Sequence, residues 1–97
     1  MKNAILIVDD SRLNRETLAD ILKDKYNIIE AEDGRSGLEV LEKRKDDIVL
    51  VILDIVMPGM DGFDVCRAIR RISDAPIVML TEGIHPQYTN CRSNDRE

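Results

Sequence analysis

Four short apolar runs, separated by segments of helical periodicity, constrain the fold more than any other feature of this sequence. The runs lie at residues 4–8, 26–29, 48–53 and 76–80, and three of them are continuously apolar and rich in β-branched residues. Such runs are typical of parallel strands that are covered on both faces. The order β-α-β-α-β-α-β therefore predicts right-handed crossovers and an open parallel sheet.

Each segment between two runs predicts an amphipathic helix, over residues 11–24, 35–45 and 62–72. The side chains expected to face the sheet are Leu13, Leu18, Ile21 and Leu22 in the first helix, Val40, Leu38 and Leu41 in the second, and Phe63, Val65, Cys66 and Ile69 in the third. Asp61 is predicted to cap the third helix, and Asp33 with Gly34 is interpreted as a cap or turn. These two aspartates are therefore assigned structural roles.

Length and composition indicate one small aliphatic domain of 97 residues, with 43 % hydrophobic but only 3 % aromatic residues. The net charge of −5 argues against a nucleic-acid partner, because phosphate binding needs a cationic face. The apolar N-terminal run is too short for a signal peptide or a membrane span, and it begins so near Met1 that no upstream domain is expected. Two scattered cysteines, Cys66 and Cys91, complete the prediction of a cytoplasmic protein with reduced thiols.

Oxygen-bearing side chains stand at the ends of three predicted strands. Asp9 and Asp10 follow the first strand, Asp54 follows the third, and Thr81 follows the fourth. If the first and third strands are neighbours, the three carboxylates converge on one cleft, where their repulsion requires a cation. Hard oxygen ligands without His or Cys favour Mg²⁺, with the Thr81 hydroxyl placed to bond an oxyanion. The alternative is that the Asp9–Asp10 pair merely caps a helix.

The segments that carry these aspartates resemble the receiver domain of two-component response regulators, the phosphoacceptor partners of histidine kinases. The resemblance extends from residue 2 to about residue 81 and rests on ILIVDDS at 5–11, APIVMLT at 75–81 and, most specifically, LDIVMPGMDG at 53–62. It implies an α/β, flavodoxin-like, doubly wound parallel sheet with strand order 2-1-3-4.

The same resemblance implies a role for each residue of the cleft. Asp54 is expected to accept a phosphoryl group from a histidine kinase or a phosphotransfer protein. Asp10 and Asp54 are expected to bind Mg²⁺ directly, Asp9 mostly through water, and Val56 through its backbone carbonyl. Thr81 is expected to bind a phosphoryl oxygen. The chain is therefore expected to be a signalling phosphoacceptor rather than an enzyme, capable at most of self-phosphorylation and autodephosphorylation.

Two other classes of protein can be tested against the same residues. An aspartyl-phosphate hydrolase of the haloacid dehalogenase type needs a second aspartate two residues after its nucleophile, where this chain has Val56. A dinucleotide-binding protein needs a glycine-rich turn after its first strand, and residues 8–11 contain no glycine. Both classes are disfavoured.

The last 16 residues depart from the receiver pattern. Residues 82–97 show neither helical nor strand periodicity, and no lysine follows Lys45, so the lysine that clamps the phosphoryl group in the family is missing. We therefore predict an incomplete receiver domain over residues 1–81 and an atypical polar tail over 82–97, without the fifth strand and last helix of a full receiver. Glu82 adds a further negative charge beside Thr81.

This truncation leaves two hypotheses open. The chain is either a receiver that still accepts phosphate, or a phosphorylation-impaired fragment that acts only as an interaction or assembly module. Without the last elements, one sheet face is expected to be uncovered and the fourth predicted strand to be a bare edge. We expect a homodimer, in which a second copy covers that face or pairs with that edge.

Overall fold

The computed structural model describes residues 3–54, 56–57, 60–81 and 85–89, with only the backbone at positions 56, 60, 81 and 85–89. In chain order the elements are β1 (Ala4–Val8), α1 (Arg12–Leu22), β2 (Asn27–Ala31), α2 (Gly34–Arg44), β3 (Ile48–Asp54), β4 (Val56–Met57), β5 (Met60–Asp61), α3 (Gly62–Arg70), β6 (Ile77–Thr81) and β7 (His85–Thr89).

The main sheet has the order β2-β1-β3-β6-β7, and its first four members are parallel. Since β6 is the fourth long strand, this confirms the predicted flavodoxin-like order 2-1-3-4. The short strands β4 and β5 form a separate antiparallel pair that reverses the chain after β3. Among the described residues, no fifth parallel strand and no fourth helix follow β6.

The larger core lies between the sheet and the helices α2 and α3. Alternate residues of the central strands, such as Leu6, Val51 and Ile77, pack there against Leu41 and Ile69, and all five are almost fully buried. The predicted apolar faces of these two helices are therefore correct, apart from Phe63. That ring is 52 % exposed because α3 turns Val65, rather than its first apolar residue, into the core.

The opposite sheet face packs against α1 alone among the described helices. Leu18 and Leu22 lie against the buried side chains of Ile5 and Ile7. The prediction that Leu13 and Ile21 also face the sheet is wrong: they are 71 % and 69 % exposed. At about 100° per residue, Leu13 is rotated about 140° from Leu18 and Ile21 about 100° from Leu22, so both side chains point away from the sheet.

The expected uncovered face is smaller than the sequence suggests. The side chains of Ile52 and Leu80, expected to have nothing over them, are 7 % and 5 % exposed. Val49 and Leu50 remain half-buried beside the same cluster. Among the described residues, the two most exposed large apolar side chains are Leu13 and Ile21 of α1, which we call the α1 patch.

The prediction of a bare edge at the fourth strand is also wrong. Strand β7 pairs antiparallel with β6, with Thr81 opposite His85 and Ile77 opposite Thr89. Residues 85–89 carry no strand pattern, because ladder hydrogen bonds involve backbone groups and do not require alternating apolar side chains. Pro86 fits this place, since proline is tolerated in a strand at the edge of a sheet. The tail residues 82–84 and 90–97 lie outside the described residues.

Helix α2 approaches β1 closely at Gly37. A Cβ atom at this position would lie 2.8 Å from Cγ2 of Val8 and 3.7 Å from Cβ of Ala31. Both neighbours are buried, so the absence of a side chain at Gly37 sets the spacing between α2 and the carboxyl end of β1. Of the helices described, none is long and apolar enough to cross a membrane.

Candidate functional site

The carboxyl ends of β1 and β3 bring the predicted site residues together. The ladder between these strands pairs Val8 with Leu53, so the residues that follow, Asp9 and Asp54, meet at the same sheet edge. One carboxylate oxygen from each of Asp9, Asp10 and Asp54 lies within 4.8 Å of the others. We call these three residues the acidic cluster.

The three carboxylates differ in their access to solvent. Asp9 is fully buried, Asp54 is 6 % exposed, and Asp10 is exposed. Asp54 is the last residue of β3, so its position is set by the central strand of the sheet. A buried carboxylate at the end of an apolar strand is costly to desolvate, and this cost indicates a function beyond packing.

Local hydrogen bonds hold Asp9 in place. Its Oδ1 accepts a hydrogen bond of 2.8 Å from the backbone N–H of Ser11, and its Oδ2 accepts one of 3.3 Å from Nδ2 of Asn14. The N-cap of α1 is Ser11, whose hydroxyl accepts the backbone N–H of Asn14. Capping of α1 therefore does not by itself account for the acidic pair.

A partly buried cation lies behind the cluster. The side chain of Arg15 is 14 % exposed; its Nη1 donates to the backbone carbonyl of Asp9 at 2.7 Å, and its Nε donates to Glu30 at 3.1 Å. Sequence reasoning missed both Arg15 and Asn14. The available signal was their spacing of three and four residues before Leu18, which puts them on the sheet-facing side of α1 near the strand ends.

The aspartates assigned to structural roles do have them. Asp61 caps α3 and accepts the backbone N–H of Phe63 at 2.8 Å, while Asp33 caps α2 and accepts that of Ser36 at 2.8 Å. The hydrogen bonds from the Ser36 backbone and side chain hold the pKa of Asp33 below its usual value. Neither residue belongs to the acidic cluster.

For Thr81 and Val56 the structure describes only the backbone. Asp54 pairs with Leu80 in the β3–β6 ladder, so Thr81 ends its strand one position further along, at the same edge as the cluster. Val56 begins β4, two residues after Asp54, and pairs with Asp61. The roles of their hydroxyl and carbonyl groups stay a prediction.

The chemistry of the acidic cluster suits a hard divalent cation. At 4.8 Å and an effective dielectric constant of about 20, two like charges repel by about 3.5 kcal/mol, and by less where one of them is exposed. Within the described part of the chain, the cluster offers three carboxylates and no nitrogen or sulfur donor, the ligand set that Mg²⁺ prefers. The residues present therefore fit this ion.

Comparison with known proteins agrees with this geometry. A sequence profile of the response regulator receiver domain matches residues 5–91. Among curated proteins, the chain is 36 % identical over 81 residues to the transcriptional regulatory protein AfsQ1 of Streptomyces coelicolor, covering 84 % of this chain and 35 % of that protein. It is 39 % identical over 80 residues to the transcriptional regulatory protein CpxR of Escherichia coli, covering 81 % and 33 %.

Solved structures show the same similarity. The chemotaxis protein CheY4 of Vibrio cholerae superimposes with a TM-score of 0.74 at 32 % identity, over 81 % of this chain and 68 % of that one. CheY of Borrelia burgdorferi, solved as a complex with CheX, BeF₃ and Mg²⁺, gives 0.75 at 33 % identity, over 81 % and 61 %. The chain spans about a third of the length of the curated relatives that it matches.

Proposed function

Because this chain belongs to the response regulator receiver domain family, we propose that it accepts a phosphoryl group on Asp54 from the phosphohistidine of a histidine kinase or a phosphotransfer protein. A carboxylate oxygen of Asp54 attacks phosphorus, an O–P bond forms, and the N–P bond breaks. The imidazole nitrogen leaves with the electron pair and takes up a proton. The chain is consumed stoichiometrically in this step, as a signalling phosphoacceptor.

The convergence of the acidic cluster at the end of β3 carries this proposal. Asp54 is nearly buried at the end of a central strand, which limits the directions from which its oxygens can be approached. The same observation favours a phosphoacceptor over a fragment that only assembles, because assembly does not require three mutually repelling carboxylates.

Asp9, Asp10 and Asp54 would hold Mg²⁺ at this edge, with the carbonyl of Val56 as a further ligand. The ion would supply positive charge that offsets the repulsion between the carboxylates and an incoming phosphoryl group. Asp54 provides the nucleophile, and the Thr81 hydroxyl donates to a phosphoryl oxygen. Arg15 and Asn14 hold Asp9 from behind.

Labelling with a small phosphodonor tests the phosphoacceptor role. The protein is incubated with acetyl phosphate in Mg²⁺ or in excess EDTA, and the added phosphoryl mass is located by mass spectrometry. We expect a labelled fraction only with Mg²⁺, and none in Asp54→Asn. The matched control is Asp33→Asn, which changes an aspartate that caps α2 outside the acidic cluster. Labelling that survives Asp54→Asn would refute the assignment.

The α1 patch supports a second proposal, that two copies of the chain associate. Leu13 and Ile21 expose 71 % and 69 % of their surface on one helix. Covering such side chains gains about 1.5–3 kcal/mol each, or about 4–8 kcal/mol for the four contributed by two copies, allowing for incomplete burial. Association itself costs about 4–15 kcal/mol, so at most about 4 kcal/mol remains, and we expect a weak dimer with a dissociation constant of about 1 mM or higher.

Sedimentation velocity over a concentration range tests this association. The sedimentation coefficient is expected to rise with concentration in the wild type and to stay at the monomer value in a Leu13→Glu/Ile21→Glu double variant. Glu16→Gln, an exposed change on the same helix, serves as the control and should still associate. A wild-type sedimentation coefficient that shows no rise over the double variant up to about 2 mM would exclude the dimer without affecting the phosphoacceptor proposal.

A further inference from the structure

Asp9 has a buried carboxyl group whose orientation depends on its hydrogen bonds. Its side chain is fully buried, and a carboxylate removed from water is costly unless donors replace the lost solvent. Two donors reach it within the part of the chain that is described, the backbone N–H of Ser11 at Oδ1 and Nδ2 of Asn14 at Oδ2. Each of its oxygens is thus tied to the first turn of α1.

These two hydrogen bonds depend to different degrees on the identity of the donor residue. The Ser11 contact comes from the backbone, so almost any residue at that position can make it. The Asn14 contact comes from a side chain and is lost when the amide is replaced. Two contacts fix the position from which the Asn14 side chain extends. The Asn14 backbone N–H donates to Ser11 Oγ at 3.2 Å, and Leu18, one turn later, packs against the sheet.

We propose that Asn14 is a positioning residue that sets the divalent-metal affinity of the acidic cluster by fixing the orientation of Asp9; this inference rests on the proposed function. A metal ligand that keeps one orientation loses less entropy on binding. Residues that hold ligands in this way typically account for a 10–100-fold difference in metal affinity. Asp9 is held at both oxygens before any ion arrives, so the cluster is organised for binding in advance.

The chain offers a matched control for this contact. Asn27 also donates through Nδ2 to a side-chain oxygen, that of Asn3 at 3.0 Å, but at the amino ends of the strands. Replacing either asparagine by leucine removes one amide donor and keeps the size of the side chain. Only the change at Asn14 removes a donor from Asp9.

Calorimetric titration of the full chain with MgCl₂ tests the inference. We compare the wild type with Asn14→Leu, Asn14→Gln and Asn27→Leu, after far-UV circular dichroism in EDTA has shown that each is folded. Asn14→Leu is expected to raise the dissociation constant about tenfold. Asn14→Gln keeps the donor and should stay within threefold of the wild type, while Asn27→Leu should leave the constant unchanged. If Asn14→Leu does not fold, Asn14→Ser takes its place, since its shorter hydroxyl does not reach Asp9.

Each remaining result overturns the inference. Equal affinity in Asn14→Leu and the wild type would show that Ser11 alone fixes Asp9. An equal loss in Asn14→Leu and Asn14→Gln would show that the amide donor is not the cause. A wild type that binds no Mg²⁺ would remove the proposed function together with this inference, whereas wild-type binding that falls in Asp54→Asn but not in Asn14→Leu would leave the proposed function intact.

Discussion

Substitution of Gly37 by alanine should destabilise the protein, although alanine is the better helix former. In an exposed helix interior, replacing glycine by alanine gains about 0.5–1 kcal/mol. At Gly37 the new methyl group would lie 2.8 Å from Cγ2 of Val8 and 3.5 Å from Cγ1. Val8 is β-branched and buried in a central strand, so it cannot rotate away freely.

The net effect follows from these two opposing terms. Inserting a methyl group into a packed core costs about 1–3 kcal/mol. After the propensity gain is subtracted, we expect a loss of about 1–2 kcal/mol in the free energy of unfolding. With a urea m-value of about 2 kcal/mol per M, the unfolding midpoint should fall by about 0.5–1 M.

A double-mutant cycle with Val8→Ala isolates the contact. Removing the Val8 methyl groups destabilises the core by itself, but it also vacates the space that an alanine at position 37 needs. In the Val8→Ala background, Gly37→Ala should therefore become stabilising, with a coupling energy of about 1–3 kcal/mol.

Glu39→Gly, at an exposed position of the same helix, measures the propensity term separately and should cost about 1 kcal/mol. If Gly37→Ala raises the midpoint in the wild-type background by the amount that Glu39→Gly lowers it, then α2 does not approach β1 as closely as described.

Three further predictions concern charge. In EDTA, Asp54→Asn should stabilise the fold by about 1–3 kcal/mol because it relieves repulsion within the acidic cluster, and urea midpoints that instead fall would contradict the proximity of the three carboxylates. Phosphorylation by acetyl phosphate should be slower than in a receiver domain that has the phosphoryl-clamping lysine expected from the family, since no lysine follows Lys45 here, and Glu82→Ala should raise the rate; a rate equal to that of such a receiver would show that the lysine is dispensable. The pKa of Asp33 is lowered by the hydrogen bonds from Ser36, so its ionised form stabilises the fold above the unfolded pKa of about 3.9, and this contribution is lost as the pH falls through the lower folded value. The urea-midpoint advantage of the wild type over Asp33→Ala should accordingly shrink between about pH 5 and pH 3, and a constant advantage would contradict the shift.

The central fold and the acidic cluster could be predicted from sequence because both depend on local patterns. Continuous apolar runs mark strands that are buried on both faces, and Asp9 and Asp54 are the first polar residues at the ends of two of them. Parallel strands put such ends at one edge of a sheet, so the clustering of the aspartates follows once β1 and β3 are neighbours.

The wrong or missing predictions concern residues whose burial, pairing or contacts depend on a second helix or strand. Helical periodicity identifies Leu13 and Ile21 as apolar positions of α1, but their burial depends on what packs beside the helix. Strand β7 is held by backbone hydrogen bonds to β6, which leave no apolar pattern in the residues that make them. Asn14 and Arg15 look like ordinary surface residues until the end of β1 is placed beside them.

The direction of β7 relative to β6 determines whether the last residue of β7 lies beside the carboxyl end or the amino end of β6. A parallel strand after β6 would deliver the following residues to the edge that holds Asp54. The antiparallel strand runs the other way, and Thr89 pairs with Ile77 at the amino end of β6. Five residues at about 3.3 Å per step put that point about 13 Å from the end of β6. The polarity of this one edge strand therefore puts the end of β7 at the sheet edge opposite the acidic cluster, rather than beside it.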